Sequence, residues 1–264
     1  MTQADCVEKA KELGFDAIEF IDLQPEDGYT EKEYAKLIRE RAEKAGIEIT
    51  AYTVGARLVT ESDEETGKEI KRIMEKIDVV EALGAKLMRH DAYFWQNKYR
   101  SFDLSLPELA ENIRKIADYA QSNGIRTMVE NHGFICQDSE RVEKIFNAVN
   151  HPNFGLLCDI GNFLCVDENP VTAVSRVAPY AFHAHIKDFY VHGFDYPSDG
   201  YIVTRGCNKI KGAPAGYGDV SVKQCVAILK KAGYDGVFSL EYEGAEDCLP
   251  SLEKALAFLR TIED

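Results

Sequence analysis

Short apolar segments alternate with amphipathic segments along this chain, and this alternation limits the folds that it can adopt. In the amphipathic segments, apolar residues recur every three or four positions, as on the buried face of a helix. Repeated strand and helix units predict an α/β protein with a parallel sheet. Seven strands are predicted, near residues 16–21, 47–53, 85–90, 126–131, 154–159, 182–187 and 236–242. The 264 residues suit one (β/α)8 TIM barrel, so we expect a single domain over residues 1–264.

Cap and turn residues mark where the helices begin and where the pattern stops. A serine or threonine followed three residues later by glutamate predicts helix starts at Thr30, Ser62 and Ser105. Between residues 189 and 220 the alternation stops, and glycine and tyrosine become frequent. A segment of this length predicts a loop over the active face of the barrel.

The first strand of the barrel is missing from the pattern. The chain opens on a helical segment, Ala4 to Leu13, of the kind that would follow a first strand. Three explanations stay open: a truncated or wrongly assigned start, a gap covered by a loop, or a second chain that completes the barrel edge. Unpaired edges on two neighbouring strands would invite pairing with another polypeptide.

Four of the predicted strands end in a side chain that binds divalent metals. These side chains are Glu130, Asp159, His185 and Glu241. Parallel strands in a barrel present their C-terminal ends on one face, so four residues far apart in sequence can meet there. Three carboxylates and one imidazole suit Mn²⁺, with Mg²⁺, Co²⁺ and Zn²⁺ as alternatives. A single acidic residue at a strand end is more often a cap or an ion-pair partner, and the joint occurrence of four favours a metal site.

Charge and cysteine content narrow the partners of the chain. The net charge is −14, so we expect the chain to lack the basic surface that binding to nucleic acid or to an anionic membrane requires. A negative charge does not argue against a small sugar as the ligand. Seven cysteines without C-x-x-C spacing predict reduced thiols. No segment reads as a signal peptide or a membrane span, so we expect a cytoplasmic protein.

Four motifs surround these strand ends: Val129 to Gly133, Cys158 to Phe163, His183 to Asp188, and Gly233 to Gly236 leading into Ser239 to Gly244. Together they resemble the xylose-isomerase-like TIM-barrel superfamily of sugar isomerases and epimerases. The resemblance implies a divalent ion held by Glu130, Asp159, His185 and Glu241, with both glutamates also serving as acid and base. The segment from Thr204 through Arg205 to Asp219 is similar to a loop of one branch of the family, and Arg205 is a candidate substrate contact.

Two positions depart from the ketose 3-epimerases of this family. Those enzymes have a histidine three residues after the metal aspartate and an arginine after the metal histidine, both of which touch substrate oxygens. This chain has Asn162 and Val191 there. Asn162 is therefore a candidate substrate contact, and no particular epimerase activity follows from the resemblance.

Further candidates share a strand face with the four ligands or follow a strand. His132 lies two residues after Glu130, and Lys187 two residues after His185, so the two-residue period of a strand directs them to the same side. We predict catalytic roles for both, Lys187 by neutralising an oxyanion and His132 as a second base, with support of the ligands as the alternative. Trp95 is a candidate for stacking on a sugar ring, although an aromatic residue that only fixes a loop gives the same pattern. For Arg89 and Asp91 a structural ion pair is the favoured interpretation.

The chemistry of these residues predicts a metal-dependent sugar isomerase or epimerase. Glu130 and Glu241 come from strands separated by two others, so they can face opposite sides of a bound sugar. The first alternative is a lyase of the C-glycoside deglycosidase type, in which the same proton abstraction beside a 3-keto group expels the substituent at C1. The second alternative is a catalytically silent binding subunit. We expect a homo-oligomer or a complex with a small partner subunit.

Overall fold

The computed structural model describes residues 1–94, 97–197 and 200–263, and they follow the predicted alternation. The strands that pair in parallel are β1 (Ala17–Ile21), β2 (Glu48–Val54), β3 (Leu87–His90), β4 (Arg126–Glu130), β5 (Phe154–Asp159), β6 (Ala181–Ile186) and β10 (Phe238–Leu240). Three further strands are β7 (Asp188–His192), β8 (Ile202–Val203) and β9 (Lys209–Ala213). The helices are α1 (Asp5–Leu13), α2 (Glu31–Ala45), α3 (Asp63–Leu83), α4 (Phe102–Ser122), α5 (Ser139–Val149), α6 (Pro170–Val177), α7 (Val222–Lys231) and α8 (Cys248–Glu263).

Two of the three predicted helix starts are correct. Thr30 caps α2, because its side chain accepts a hydrogen bond from the Glu33 amide while the Glu33 carboxylate accepts one from the Thr30 amide. Ser62 caps α3 in the same position. The start predicted at Ser105 is wrong. Ser101 caps α4, one turn earlier, and Ser105 is buried inside the helix, where it hydrogen-bonds Tyr93 and the carbonyl of Phe102.

The described chain divides into two compact units, the first of which holds residues 1–129 and 144–155. In this unit the strands β1, β2, β3 and β4 pair in sequence order and in parallel. The register aligns Val54 with His90 and Met88 with Thr127. Helices α2 and α3 pack against each other through the buried faces that their sequence period predicts.

The second unit holds residues 130–143 and 156–264. Here β6 pairs in parallel with β5 on one side and with β10 on the other. The outward face of β5 and β6, with Cys158 and Ile186, packs against apolar residues of α6 and α7 such as Val174 and Leu229. Because side chains alternate along a strand, this packing turns the other set, which includes Asp159 and His185, away from the helices.

The segment predicted as a loop over residues 189–220 contains a small antiparallel sheet. β9 pairs with β7 over five residues and with β8 over two. The Asp188 carboxylate at the start of β7 accepts hydrogen bonds from four backbone amides, those of Phe189, Gly216, Gly218 and Val220, at 2.8–2.9 Å. One buried side chain therefore ties the end of the segment back to its beginning. Its placement over an active face stays a prediction.

The eighth parallel strand is missing from the described residues, as the sequence predicts. Within them β1 has the single parallel partner β2, and β10 has the single parallel partner β6. The segment Ile202–Val203, a candidate to fill the gap, pairs with β9 instead. No helix in the described part of the chain is long and apolar enough to cross a bilayer.

Candidate metal centre

The register of the second unit brings the predicted ligands to one place. Asp159 at the end of β5 lies beside His185 of β6, and His185 lies beside Ser239 of β10. Glu241 follows two residues after Ser239, and its backbone amide donates to the carbonyl of Ile186. Glu130, the last residue of β4, completes the group.

The donor atoms of these four residues are spaced as ligands of one ion would be. His185 Nδ1 lies 3.0 Å from Glu241 Oε2, 3.9 Å from Asp159 Oδ2 and 4.0 Å from Glu130 Oε1. One atom from each residue can be chosen so that all four lie within 4.8 Å of one another. Ligands about 2.1 Å from a shared cation are themselves about 3.0–3.5 Å apart. A divalent ion therefore fits the group with small adjustments of the side chains.

Asp159 is held so that one carboxylate oxygen faces the other three ligands. Its Oδ1 accepts hydrogen bonds from the amides of Gly161 and Asn162 at 2.8 and 2.9 Å. Its Oδ2 is buried and accepts no hydrogen bond from the described residues, and its charge is balanced by the Lys187 ammonium 3.3 Å away, an environment that also suits a metal ligand. Burial raises the pKa of Asp159 to about 7, against the opposing effect of the Lys187 ammonium.

Lys187 contributes a buried positive charge to this group of carboxylates. Its Nζ lies 3.0 Å from Glu241 Oε2, 3.3 Å from Asp159 Oδ2 and 3.5 Å from Glu243 Oε1, and its side chain is 3% exposed. Burial lowers the pKa of Lys187, but the surrounding carboxylates outweigh it and hold that pKa well above its usual value. Burial by itself raises the pKa of Glu241. The hydrogen bond with His185 and the charge of Lys187 have a larger, opposite effect, so the pKa of Glu241 lies below its usual value.

Two asparagines fix the strand ends that carry the ligands, through contacts that the sequence does not predict. Asn131 Nδ2 donates to the Asp159 carbonyl at 2.8 Å, and Asn131 Oδ1 accepts from the Asp159 amide at 2.9 Å. Asn162 Nδ2 donates to Glu130 Oε1 at 2.8 Å. Only the position of Asn131, directly after a strand-end glutamate, could have pointed to its role.

A family model described as the Xylose isomerase-like TIM barrel matches residues 7–262. The chain belongs to this family. The match confirms the predicted family and the TIM-barrel fold class.

Individual relatives in the family share about a fifth of their residues with the chain. An inosose dehydratase of Clostridium botulinum (strain Alaska E43 / Type E3) is 23% identical over 265 residues, which cover 92% of this chain and 83% of the relative. A xylose isomerase-like TIM-barrel protein of Mycobacterium smegmatis, solved in complex with magnesium, has a TM-score of 0.73 at 20% identity, and the match covers 98% of this chain and 87% of that protein. A 3-keto-D-glucoside 4-epimerase of E. coli has a TM-score of 0.74 at 17% identity, and the match covers 98% of this chain and 94% of the epimerase. Structural likeness at these identities shows the fold alone.

The other predicted site residues of this family member lie at different distances from the four ligands. Asn162 and Lys187 lie among them, with Lys187 Nζ 3.3 Å from Asn162 Oδ1. His132 is half-buried, and its backbone bridges that of Cys136. Arg205 donates to Asp138 Oδ2 at 2.9 Å and to the Phe134 carbonyl, and its recorded contacts among the described residues do not include the ligands. Trp95 lies outside the described residues.

In the first unit, the residues at the end of β3 form the ion pair that the sequence favoured. Arg89 Nη2 lies 2.7 Å from Asp91 Oδ1, and both side chains are about 95% buried. His90, between them in sequence, is fully buried and stacks on Phe154 with ring centroids 6.5 Å apart. Burial lowers the pKa of His90 to about 4.

Proposed function

We propose that this chain is a divalent-metal-dependent enzyme that removes a proton from the carbon beside a carbonyl of a sugar, with isomerisation or epimerisation as the outcome. The observation that carries the proposal is the spacing of Glu130, Asp159, His185 and Glu241, whose donor atoms all lie within 4.8 Å of one another. Four such side chains at strand ends are the residues that a metal-assisted reaction requires. A catalytically silent subunit would have no need of the full set.

Mn²⁺ is the proposed ion, because three carboxylates and one imidazole combine hard oxygen donors with one nitrogen. Mg²⁺, Co²⁺ and Zn²⁺ are alternatives, and the relative from M. smegmatis carries magnesium in its structure. When bound, the ion would supply Lewis-acid polarisation of the substrate carbonyl.

In this proposal, side chains of the protein transfer the proton. Lys187 Nζ, 3.0 Å from Glu241 Oε2, favours the ionised form of Glu241, which can accept a proton from the carbon beside the carbonyl. Glu130, from a different strand, enters this step as the carboxylic acid and gives its proton to the same carbon on its other face or to the neighbouring carbon, which leaves Glu130 ionised and Glu241 protonated. The Lys187 ammonium can donate a hydrogen bond to an oxygen that becomes negatively charged. His132 is the proposed alternative base.

A second candidate is elimination, which begins with the same proton abstraction. Two observations favour elimination. Relatives of the chain are named inosose dehydratases, and Asn162 stands where the ketose 3-epimerases have a histidine. In this reaction the carbon–hydrogen bond gives its electron pair to a new carbon–carbon double bond. The bond to the β-oxygen then breaks, and the departing oxygen takes a proton and leaves as water. With a 3-keto-glycoside, the departing group would be the aglycone.

One experiment separates these outcomes. The Mn²⁺-loaded protein is incubated in D₂O with fructose, psicose, a keto-inositol and a 3-keto-glucoside, and the products are analysed by mass spectrometry. Deuterium in a product of unchanged formula indicates an isomerase or epimerase, loss of water a dehydratase, and release of the aglycone a lyase. Glu241→Gln should abolish the reaction, and Glu253→Gln on the exposed face of α8 should not. A Mn²⁺-loaded protein that exchanges no deuterium with any of these ketones would contradict the proposal.

A further inference from the structure

We propose that Asn162 is a positioning residue that holds the Glu130 carboxyl group and the Lys187 ammonium in the arrangement that proton transfer and metal binding need, an inference that rests on the proposed function. The Asn162 residue is 2% exposed, so its amide can bond only to its neighbours. Nδ2 donates to Glu130 Oε1 at 2.8 Å, and Oδ1 accepts from Lys187 Nζ at 3.3 Å. A reversed amide would place its NH₂ group against the Lys187 ammonium and its oxygen against the Glu130 carboxyl oxygen, so this orientation is the favourable one.

The backbone of Asn162 is fixed as firmly as its side chain. Its amide donates to Asp159 Oδ1 at 2.9 Å, and its carbonyl accepts from Gln137 Nε2 at 2.7 Å. Asn162 also begins a short 3₁₀ segment, Asn162–Val166, directly after β5. One residue therefore contacts two proposed ligands on two different strands, Asp159 through its backbone and Glu130 through its side chain.

The side chain of Asn162 lies between two opposite charges. Without it, the Lys187 ammonium could turn toward Glu130 and form a direct ion pair, which would occupy the carboxyl oxygen that the ion would bind and turn Glu130 away from the substrate. The amide instead gives each charge a neutral partner and restricts rotation of the Glu130 carboxylate. This role differs from a substrate contact, because it acts on the chemical step and on metal affinity more than on substrate binding.

The test compares Asn162→Ala with Asn169→Ala. Asn162→Ala keeps the backbone contact to Asp159 and removes only the side-chain bonds. Asn169 is exposed and caps α6, and its side chain accepts a hydrogen bond from the Thr172 amide, so its loss removes a cap without removing a bond to Glu130 or Lys187. We expect Asn162→Ala to weaken Mn²⁺ binding about 10-fold in competition with a fluorescent chelator, and to lower kcat for deuterium exchange about 10- to 100-fold with KM within about twofold. Asn169→Ala should change neither quantity.

A second background shows whether the effect passes through Glu130. In Glu130→Ala, removal of the Asn162 side chain should change Mn²⁺ affinity less than about twofold, because its partner is gone. Full additivity of the two substitutions would overturn the inference, as would a 10-fold rise in KM with kcat unchanged, the signature of a substrate contact. Asn162→Ser, with a shorter polar side chain, replaces the alanine variant if that does not fold, and the same losses are expected. If the unsubstituted protein binds no Mn²⁺, the proposed function fails as well, whereas normal Mn²⁺ binding and exchange in both Asn162 variants overturn this inference alone.

Discussion

Asp159 and His185 lie opposite each other in the register of β5 and β6, and they are the most deeply buried of the four proposed ligands. We expect Asp159→Asn or His185→Ala to lower metal content from about one ion per chain to below about one tenth, because each substitution removes a donor that no neighbour replaces. Elemental analysis of the purified protein measures this. Asp247→Asn, at an exposed position, is the control. Full metal content after substitution of all four ligands would rule out the site.

His90 makes the stability of the protein depend on pH. The folded protein holds its pKa at about 4, below the value of about 6.5 in an unfolded chain, because burial disfavours the charged ring. The unfolded state therefore takes up a proton first as the pH falls. The stabilisation is fully present above about pH 6.5 and is lost progressively toward pH 4, by up to about 3 kcal/mol of the free energy of unfolding.

Urea unfolding at pH 7 and pH 4.5 measures this loss. We expect His90→Phe to lose less stability between the two pH values than the unsubstituted protein, since phenylalanine cannot be protonated and can still stack on Phe154. His151→Gln, at a histidine paired with exposed Asp118, should lose as much as the unsubstituted protein. An equal loss in His90→Phe would assign the pH dependence to other groups.

The positions of the four ligands follow from the sequence, whereas the contacts around them do not. The position of a residue at the end of a parallel strand is fixed by the direction and the register of that strand. Asn131 and Asn162 come after the strand ends, where the chain turns, and which way each amide points depends on neighbours from other segments. The motifs predict that Asn162 contacts substrate, whereas the positioning role proposed for it rests on its distances to Glu130 and Lys187.

At the scale of elements, the seven parallel strands were predictable because each contains a short apolar run between segments with a helical period. The sheet of β7, β8 and β9 was not, because β8 has two residues and the five residues of β9 include two lysines and a glycine. The start of α4 was placed one turn late, since the spacing of Ser105 and Glu108 matches a capping box although Ser105 is buried against Tyr93. A local pattern cannot distinguish a cap from a buried serine when tertiary contacts decide.

Asp188 joins the start of the segment that contains this small sheet to its end. Its carboxylate accepts four backbone amides, whereas the asparagine side chain has one acceptor oxygen and would direct an NH₂ group at the other amides. We expect Asp188→Asn to reduce the free energy of unfolding by about 2–3 kcal/mol and to speed hydrogen exchange in residues 188–220. Asp195→Asn, in the same segment and exposed, is the matched control. Unchanged exchange in Asp188→Asn would show that β7 and β9 are held by their own pairing.

At the scale of the whole molecule, the strand missing from the parallel sheet leaves a testable consequence at β1. In the described residues β1 pairs with β2 alone, and Ile21 at its end is 49% exposed. An edge strand with an exposed apolar side chain favours pairing with another polypeptide, and a charged residue there opposes it. We expect the protein to sediment as a species heavier than its 29.6 kDa monomer at micromolar concentration, and Ile21→Lys to shift it toward the monomer. Leu104→Lys, which adds the same charge to an exposed position of α4, should leave the association unchanged. A protein that sediments as a monomer at every concentration would show that this edge needs no partner.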